Sequence, residues 1–280
     1  MNSKTLKLYA ELLRPVNVAI VFGTIIVAGI LAKPVGWNWI FVLAAALAGA
    51  AIASGGNAIN DYFDLAIDKI NRPQRPLPRG AISLDDAKKI WIYTSSLGFA
   101  LSLVLGVWDL LIAVVWLVGL YIYSRHLKGT VLVGNLAVAL MTGLAFPFGA
   151  IAAGRPGLGL YPGILAFLAN LARELLKDVE DVDGDASVNA QTLSVTHGPE
   201  AGLLAASISI GVLVIASFIP YIVGVYNDVY LTIILLVNLG FAFVGVSMWY
   251  DSTHSNLKKL SLILKADMVG GLVAILLGTS

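Results

Sequence analysis

Residues 38–59 read NWIFVLAAALAGAAIASGGNAI, and residues 60–80 continue NDYFDLAIDKINRPQRPLPRG. The first run holds no charged residue. The second carries three aspartates, then three arginines among prolines. A membrane-spanning helix needs about 20 mostly apolar residues, and 38–59 supplies them. Asn60 therefore reads as the point where a spanning helix leaves the lipid and meets polar chemistry.

Outward from that point the pattern repeats. With 38–60, spans are expected at 15–33, 90–107, 109–125, 131–152, 158–177, 200–223, 228–249 and 260–279. The predicted fold is an all-α membrane protein, a bundle of about nine transmembrane helices forming one domain over 1–280. The bulk numbers agree. Of 280 residues, 58% are hydrophobic and 12% charged, about half the charged share of soluble domains. A net charge of +1 gives no bulk electrostatic case for nucleic acid. The absence of cysteine excludes disulfides, thiolate metal sites and a cysteine nucleophile. The opening MNSKTLKLYAELLRP keeps charges through Arg14 and does not read as a signal peptide.

The charges sort by side. With the N-terminus inside, the loops 61–89, 126–130, 178–199 and 250–259 share a face. Counted with the N-terminal segment and the helix ends, that face holds every basic residue except Lys33 and Arg155. The positive-inside rule makes that face cytoplasmic, in a multi-pass protein of the cell membrane. Of the acids, only Asp109 and Asp228 lie opposite, Asp109 at a tight turn between the third and fourth spans. Long polar loops on one face of a compact scaffold are where function concentrates, so the active site is expected on the cytoplasmic side.

Two of those loops carry acids at helical spacing. Asn60, Asp64 and Asp68 stand at i, i+4, i+8, one face if the helix continues past the membrane edge. Like charges so placed repel, and the row needs something positive beside it. Carboxylate oxygens suit Mg²⁺, a hard cation commonly shared with substrate phosphates. Glu174, Asp178, Asp181 and Asp185 repeat the pattern at i, i+4, i+7, i+11, with Glu180 and Asp183 off that face. Arg72, Arg75 and Arg79 follow the first row, where Pro73, Pro76 and Pro78 fix an extended path. Two carboxylate rows, a divalent cation and guanidiniums that grip phosphate bidentately amount to a diphosphate site.

The motifs carry a resemblance. NDYFDLAIDKINRPQRPLPRGAIS is similar to the first signature of the UbiA family of intramembrane prenyltransferases, and RELLKDVEDVDGD followed by QTLSVTHG to the second. The form of both most resembles the archaeal branch that makes digeranylgeranylglyceryl phosphate. The resemblance implies Mg²⁺-dependent transfer of a geranylgeranyl group from geranylgeranyl diphosphate to a lipid-like phosphate acceptor, the sn-2 hydroxyl of geranylgeranylglyceryl phosphate, within membrane lipids. It implies catalytic roles for Asp64, Asp68, Asp178, Asp181 and Asp185, with metal on Asp64, Asp68, Asp181 and Asp185. It implies substrate binding by Asn60, Arg14, Arg72, Arg75, Tyr123, Lys128 and Lys177. The family's Tyr and Lys after the fourth helix stand four apart; Tyr123 and Lys128 stand five apart, and Arg125 competes with Lys128. Arg75, Arg79, Lys88 and Lys89 are candidates for the acceptor's own phosphate.

Other segments read less sharply. The small-residue runs AAALAGAAIASGG (44–56) and GLAFPFGAIAAG (143–154) suit either a groove for the prenyl tail or close helix packing. Asn135 and Asn170 read as ordinary interhelical hydrogen bonds, Lys265 and Asp267 as an inward-facing pair, and His126, His197 and His254 as surface. A UbiA-type enzyme with an aromatic acceptor shares the acidic motifs. An ion-coupled transporter would place its ionisable residues near the bilayer midplane and has no need of an arginine–proline loop.

Overall fold

A computed structural model describes residues 3–32 and 38–279; Lys33 lies outside them. All regular structure among the described residues is helical. The helices fall into two compact units, Met1–Lys128 with Leu144–Gly159, and Gly129–Gly143 with Leu160–Ser280.

In the first unit, α1 (Ser3–Leu13) and α2 (Pro15–Leu31) meet at a 54° bend. The bend is Arg14, in the left-handed region at φ 54°. Pro15 dictates it in part, since proline disfavours α geometry in the residue before it and starts a helix well. Next, α3 (Asn38–Phe63) runs beyond its apolar stretch, and α4 (Leu65–Asn71) follows after Asp64 alone. The i→i−4 bonds carry through the break: Asp64 N to Asn60 O at 2.9 Å, Asp68 N to Asp64 O at 2.8 Å, Arg72 N to Asp68 O at 2.9 Å. Pro73 then ends the helix.

Ser83 starts α5 (Leu84–Ser102), accepting from Asp86 N at 3.0 Å. This cap places the third helix earlier than the expected 90–107. The following turn falls at 103–106, before α6 (Val107–Ile122). Asp109 is therefore inside the first turn of α6, 1% exposed, where the helix N-terminus favours an acid. A single π turn, Tyr123–Leu127, follows. Against α3 and α2 pack α5, α6 and α8 (Ala145–Ala152). Small residues permit this: a Cβ on Gly98 would lie 2.9 Å from the Ala48 carbonyl, and one on Gly149 would strike the Ile25 carbonyl. Gly149, in the second small-residue run, and Gly98, packed against the first, serve close packing.

In the second unit, α7 (Val133–Gly143), α12 (Pro199–Ile222) and α14 (His254–Leu277) pack on α9 (Leu160–Glu180), and α13 (Asp228–Tyr250) on α12 and α14. After Asp181 comes α10 (Val182–Ser187), and then α11 (Leu193–His197). Buried polar groups tie helices together: Asn238 Nδ2 donates to Ser217 Oγ at 2.9 Å and Tyr230 OH to Ser217 O at 2.7 Å.

Among the described residues six segments are long and apolar enough to cross a membrane: Trp39–Phe63, Val107–Leu127, Val133–Ala152, Pro199–Ile222, Asp228–Tyr250 and His254–Leu277; the bent pair Lys7–Leu13 and Pro15–Leu31 gives a seventh. The protein is a multi-pass membrane protein. The count of nine is not reached on these grounds, because α5 and α9 carry charge at one end. Asp85, Asp86, Lys88 and Lys89 open α5, and Arg173, Glu174, Lys177, Asp178 and Glu180 close α9.

Candidate active site

The helical face expected for the first motif holds. Asp61, Asp64 and Asp68 are 2%, 5% and 2% exposed. Three carboxylates this buried need cations beside them, and the structure supplies them. Lys128 Nζ donates to Asp64 Oδ2. Arg75 Nη1 donates to Asp68 Oδ2 at 2.6 Å and to Asp61 Oδ1 at 3.1 Å, and Arg14 Nη2 donates to the same Asp61 oxygen. Left-handed backbone costs a non-glycine residue on the order of 1–3 kcal/mol. At Arg14 it is held by Pro15, by the Asp61 pair, and by Asn57 Nδ2, which donates to Leu13 O at 2.8 Å. Asn60 Oδ1 is buried with no hydrogen-bond partner.

A π turn sets the register after the fourth span. Lys128 N donates to Tyr123 O at 2.9 Å, an i→i+5 closure. It absorbs one extra residue, so that five places apart in this chain keeps Lys128 on the turn of Tyr123 as four would in a regular helix. Tyr123 is buried. Arg125 Nη1 instead donates to Tyr121 OH at 2.6 Å, over a ring stacked on Trp91. Arg79 is likewise turned elsewhere, to Glu11 Oε2 at 2.6 Å.

The second motif repeats the backbone device. Asp181 separates α9 from α10 while Asp181 N bonds Lys177 O at 2.8 Å and Asp185 N bonds Asp181 O at 3.0 Å. Glu174 and Asp185 are buried, and Asp183, expected off the face, is exposed. Glu174 takes Arg173 Nη1 at 2.8 Å and Lys177 Nζ at 3.2 Å. Asp178 Oδ2 accepts from Asn135 Nδ2 at 2.9 Å. Asp178 stands beyond the apolar stretch of α9. Burial pushes its carboxyl up to about 7; the Asn135 bond opposes this, Glu174 and Asp185 add to it, and Lys177 opposes it. Asn135, expected to make an interhelical hydrogen bond, makes one between α7 and α9, and its acceptor is a carboxylate of the second motif.

Among the described residues, no three Asp, Glu or His side chains converge tightly enough to hold a metal alone. Mg²⁺ does not require this, being held by one or two carboxylates with substrate phosphates and water. The all-oxygen donor set and the unmatched Asn60 Oδ1 beside it fit that cation. Sequence reasoning passed over Asp61, although Asp61, Asp64 and Asp68 stand at i, i+3, i+7 and so share a helical face. Its signal was the need of Arg14 and Arg75 for a counterion. The three histidines are exposed, as expected. Asp267 packs on Gly240, and its Oδ2 is buried with no hydrogen-bond partner.

The profile described as "UbiA prenyltransferase family" matches residues 21–266. A digeranylgeranylglyceryl phosphate synthase from Methanopyrus kandleri is 37% identical over 274 residues, covering 97% of this chain and 98% of that protein. A solved structure, of digeranylgeranylglyceryl phosphate synthase in membranes, superimposes with a TM-score of 0.76 at 31% identity and 99% coverage of both chains. A UbiA homolog from Archaeoglobus fulgidus bound to GPP and Mg²⁺ shares the fold, with a TM-score of 0.68 at 18% identity over 96% of this chain and 99% of that one.

Proposed function

The chain belongs to the UbiA prenyltransferase family, and on that premise we propose that it transfers a geranylgeranyl group from geranylgeranyl diphosphate to the sn-2 hydroxyl of geranylgeranylglyceryl phosphate in archaeal ether-lipid synthesis. The observation that carries the reading is the buried row Asp61–Asp64–Asp68, paired with the bases Arg14, Arg75 and Lys128. The acceptor follows the relatives, which are synthases of that product over nearly their whole length.

In this reading Asp64 and Asp68 would hold Mg²⁺ from the first motif, and Asp181 and Asp185 from the second, with Asp178 and Asn60 beside them. Bound there, the cation supplies positive charge against the leaving diphosphate. Arg14, Arg72, Arg75, Lys128 and Lys177 take the remaining phosphate oxygens, and Tyr123 flanks Lys128. As the allylic C–O bond breaks, these fixed donors meet charge where it develops. The acceptor hydroxyl then forms the new C–O bond and gives up its proton, and diphosphate leaves.

The chain acts as one prenyltransferase domain, consistent with a profile match that runs through both units. With α5 and α9 added to the seven segments above, it crosses the cell membrane nine times, and its N-terminus and both motifs lie in the cytoplasm. The one-sided distribution of basic residues supports that orientation.

The test uses purified protein, labelled geranylgeranyl diphosphate and Mg²⁺, with geranylgeranylglyceryl phosphate or 4-hydroxybenzoate as acceptor. Prenylation of the glycerol lipid alone is expected. Prenylation of the benzoate alone would assign the aromatic branch, and full transfer by Asp64→Ala would overturn the mechanism.

A further inference from the structure

The reaction as proposed binds two phosphate groups: the diphosphate that leaves, and the phosphomonoester carried by the acceptor. The roles above cover only the first. Of the residues considered for the second, Arg75 is held by Asp61 and Asp68, Arg79 by Glu11, and Lys89 stands 4.0 Å from Asp86 on the surface. None of these three has an unmatched donor in a sheltered place.

Arg173 does. It lies on α9 one turn before Lys177, with its side chain 23% exposed. Its Nη1 is 2.8 Å from Glu174 Oε1, while its Nε is buried with no hydrogen-bond partner. An unmatched buried donor is costly, the more so on a charged group, and native folds rarely carry one without a use. Glu174 orients the guanidinium by its Nη1. The Nε edge faces away from that bond, and such an edge binds a phosphate through two parallel hydrogen bonds. Four helical residues rise about 6 Å, which gives Arg173 and Lys177 separate seats. In the acceptor, two carbons separate the reacting hydroxyl from the phosphate-bearing oxygen, a comparable short reach.

We propose that Arg173 binds the phosphomonoester of the acceptor and thereby selects a phosphorylated lipid over its uncharged counterpart; this rests on the ether-lipid reading above. The residue recognises the acceptor and takes no part in holding geranylgeranyl diphosphate.

The experiment compares wild type, Arg173→Met and Arg173→Lys with geranylgeranylglyceryl phosphate and with geranylgeranylglycerol, which lacks the phosphate. In Arg173→Met, KM for the phosphorylated acceptor should rise on the order of 10- to 100-fold, the worth of a charge-assisted bond. KM for geranylgeranyl diphosphate should stay within about twofold, and the preference for the phosphorylated acceptor should collapse. Arg173→Lys keeps the charge and loses the planar edge, so its acceptor KM should rise by a smaller factor. Melting temperatures establish folding. If Arg173→Met does not fold, Arg173→Lys decides by the same comparison. KM values that rise together for both substrates, or an undiminished preference for the phosphorylated acceptor, would overturn the inference. A wild-type protein that ignores geranylgeranylglyceryl phosphate would instead sink the ether-lipid reading, whatever the variants do.

Discussion

Asp61→Asn separates a residue that positions the site from one that holds its metal. Asp61 is 2% exposed, and one of its oxygens accepts from both Arg14 and Arg75. The substitution keeps shape and an acceptor oxygen but removes the charge. A charge-assisted hydrogen bond contributes about 1.5–3 kcal/mol and a neutral one about 0.5–1.5 kcal/mol. The difference is about 1 kcal/mol for each of the two bonds, or about 2 kcal/mol in all. Expressed wholly in transition-state binding, that is about a 30-fold fall in kcat/KM. Expressed wholly in folding, it lowers Tm by about 4–8 °C for a chain of this order of size. The loss divides between the two, so both are measured on the same preparation with geranylgeranyl diphosphate as the varied substrate. Raising Mg²⁺ should not restore activity, because the Asp61 oxygen serves guanidiniums. In Asp64→Asn, by contrast, the Mg²⁺ needed for half-maximal rate should rise. A variant with wild-type kcat/KM and wild-type Tm, or one rescued by Mg²⁺ as Asp64→Asn is, would refute the assignment.

Lys128→Ala should cost on the order of 100-fold in kcat/KM, having lost a charged contact at the Asp64 carboxylate, while Arg125→Ala, which loses only its Tyr121 hydrogen bond, stays within about fivefold. Deleting exposed His126 should let the π turn close as a regular turn with Lys128 still on the Tyr123 face, retaining far more activity than Lys128→Ala; equal loss in the two would refute the register argument. Gly143→Ala would put a methyl group 2.7 Å from the Gly163 carbonyl and 3.1 Å from Phe167 Cβ, and should lower stability by about 1–3 kcal/mol in a thermal melt.

What sequence could and could not reveal divides along contact range. The i, i+4, i+8 row of Asn60, Asp64 and Asp68 is a local pattern, and its backbone ladder is intact. The second row is local too. Arg14–Asp61 spans 47 residues, Lys128–Asp64 spans 64 and Asn135–Asp178 spans 43. No periodicity connects such pairs, so the partners of Asp61 and Asp178 were invisible and Arg125 could not be told from Lys128, whereas Asp61 itself stood at i, i+3, i+7 with Asp64 and Asp68. The early start of α5 was legible in principle, since Ser83 and Asp86 form a capping pair. It was masked because the search for apolar length weighs charged first turns against a span.

Both acidic rows share one construction. A spanning helix runs past its apolar stretch, breaks at a single acidic residue, Asp64 or Asp181, and resumes for about two turns with its i→i−4 bonds unbroken. An unbroken row of carboxylates on one face would repel itself, and buried charges without partners are costlier still. Each unit answers from its own residues: Arg14, Arg75 and Lys128 in one, Arg173, Lys177 and the Asn135 amide in the other. Most of these partners are of the side-chain types, guanidinium and ammonium, that grip phosphate. The electrostatic demand of folding thus places the cations an anionic substrate needs next to the carboxylates a metal needs. A substitution on either side of that balance is therefore expected to disturb folding and turnover together, which is why stability has to be read beside kcat/KM in every variant above.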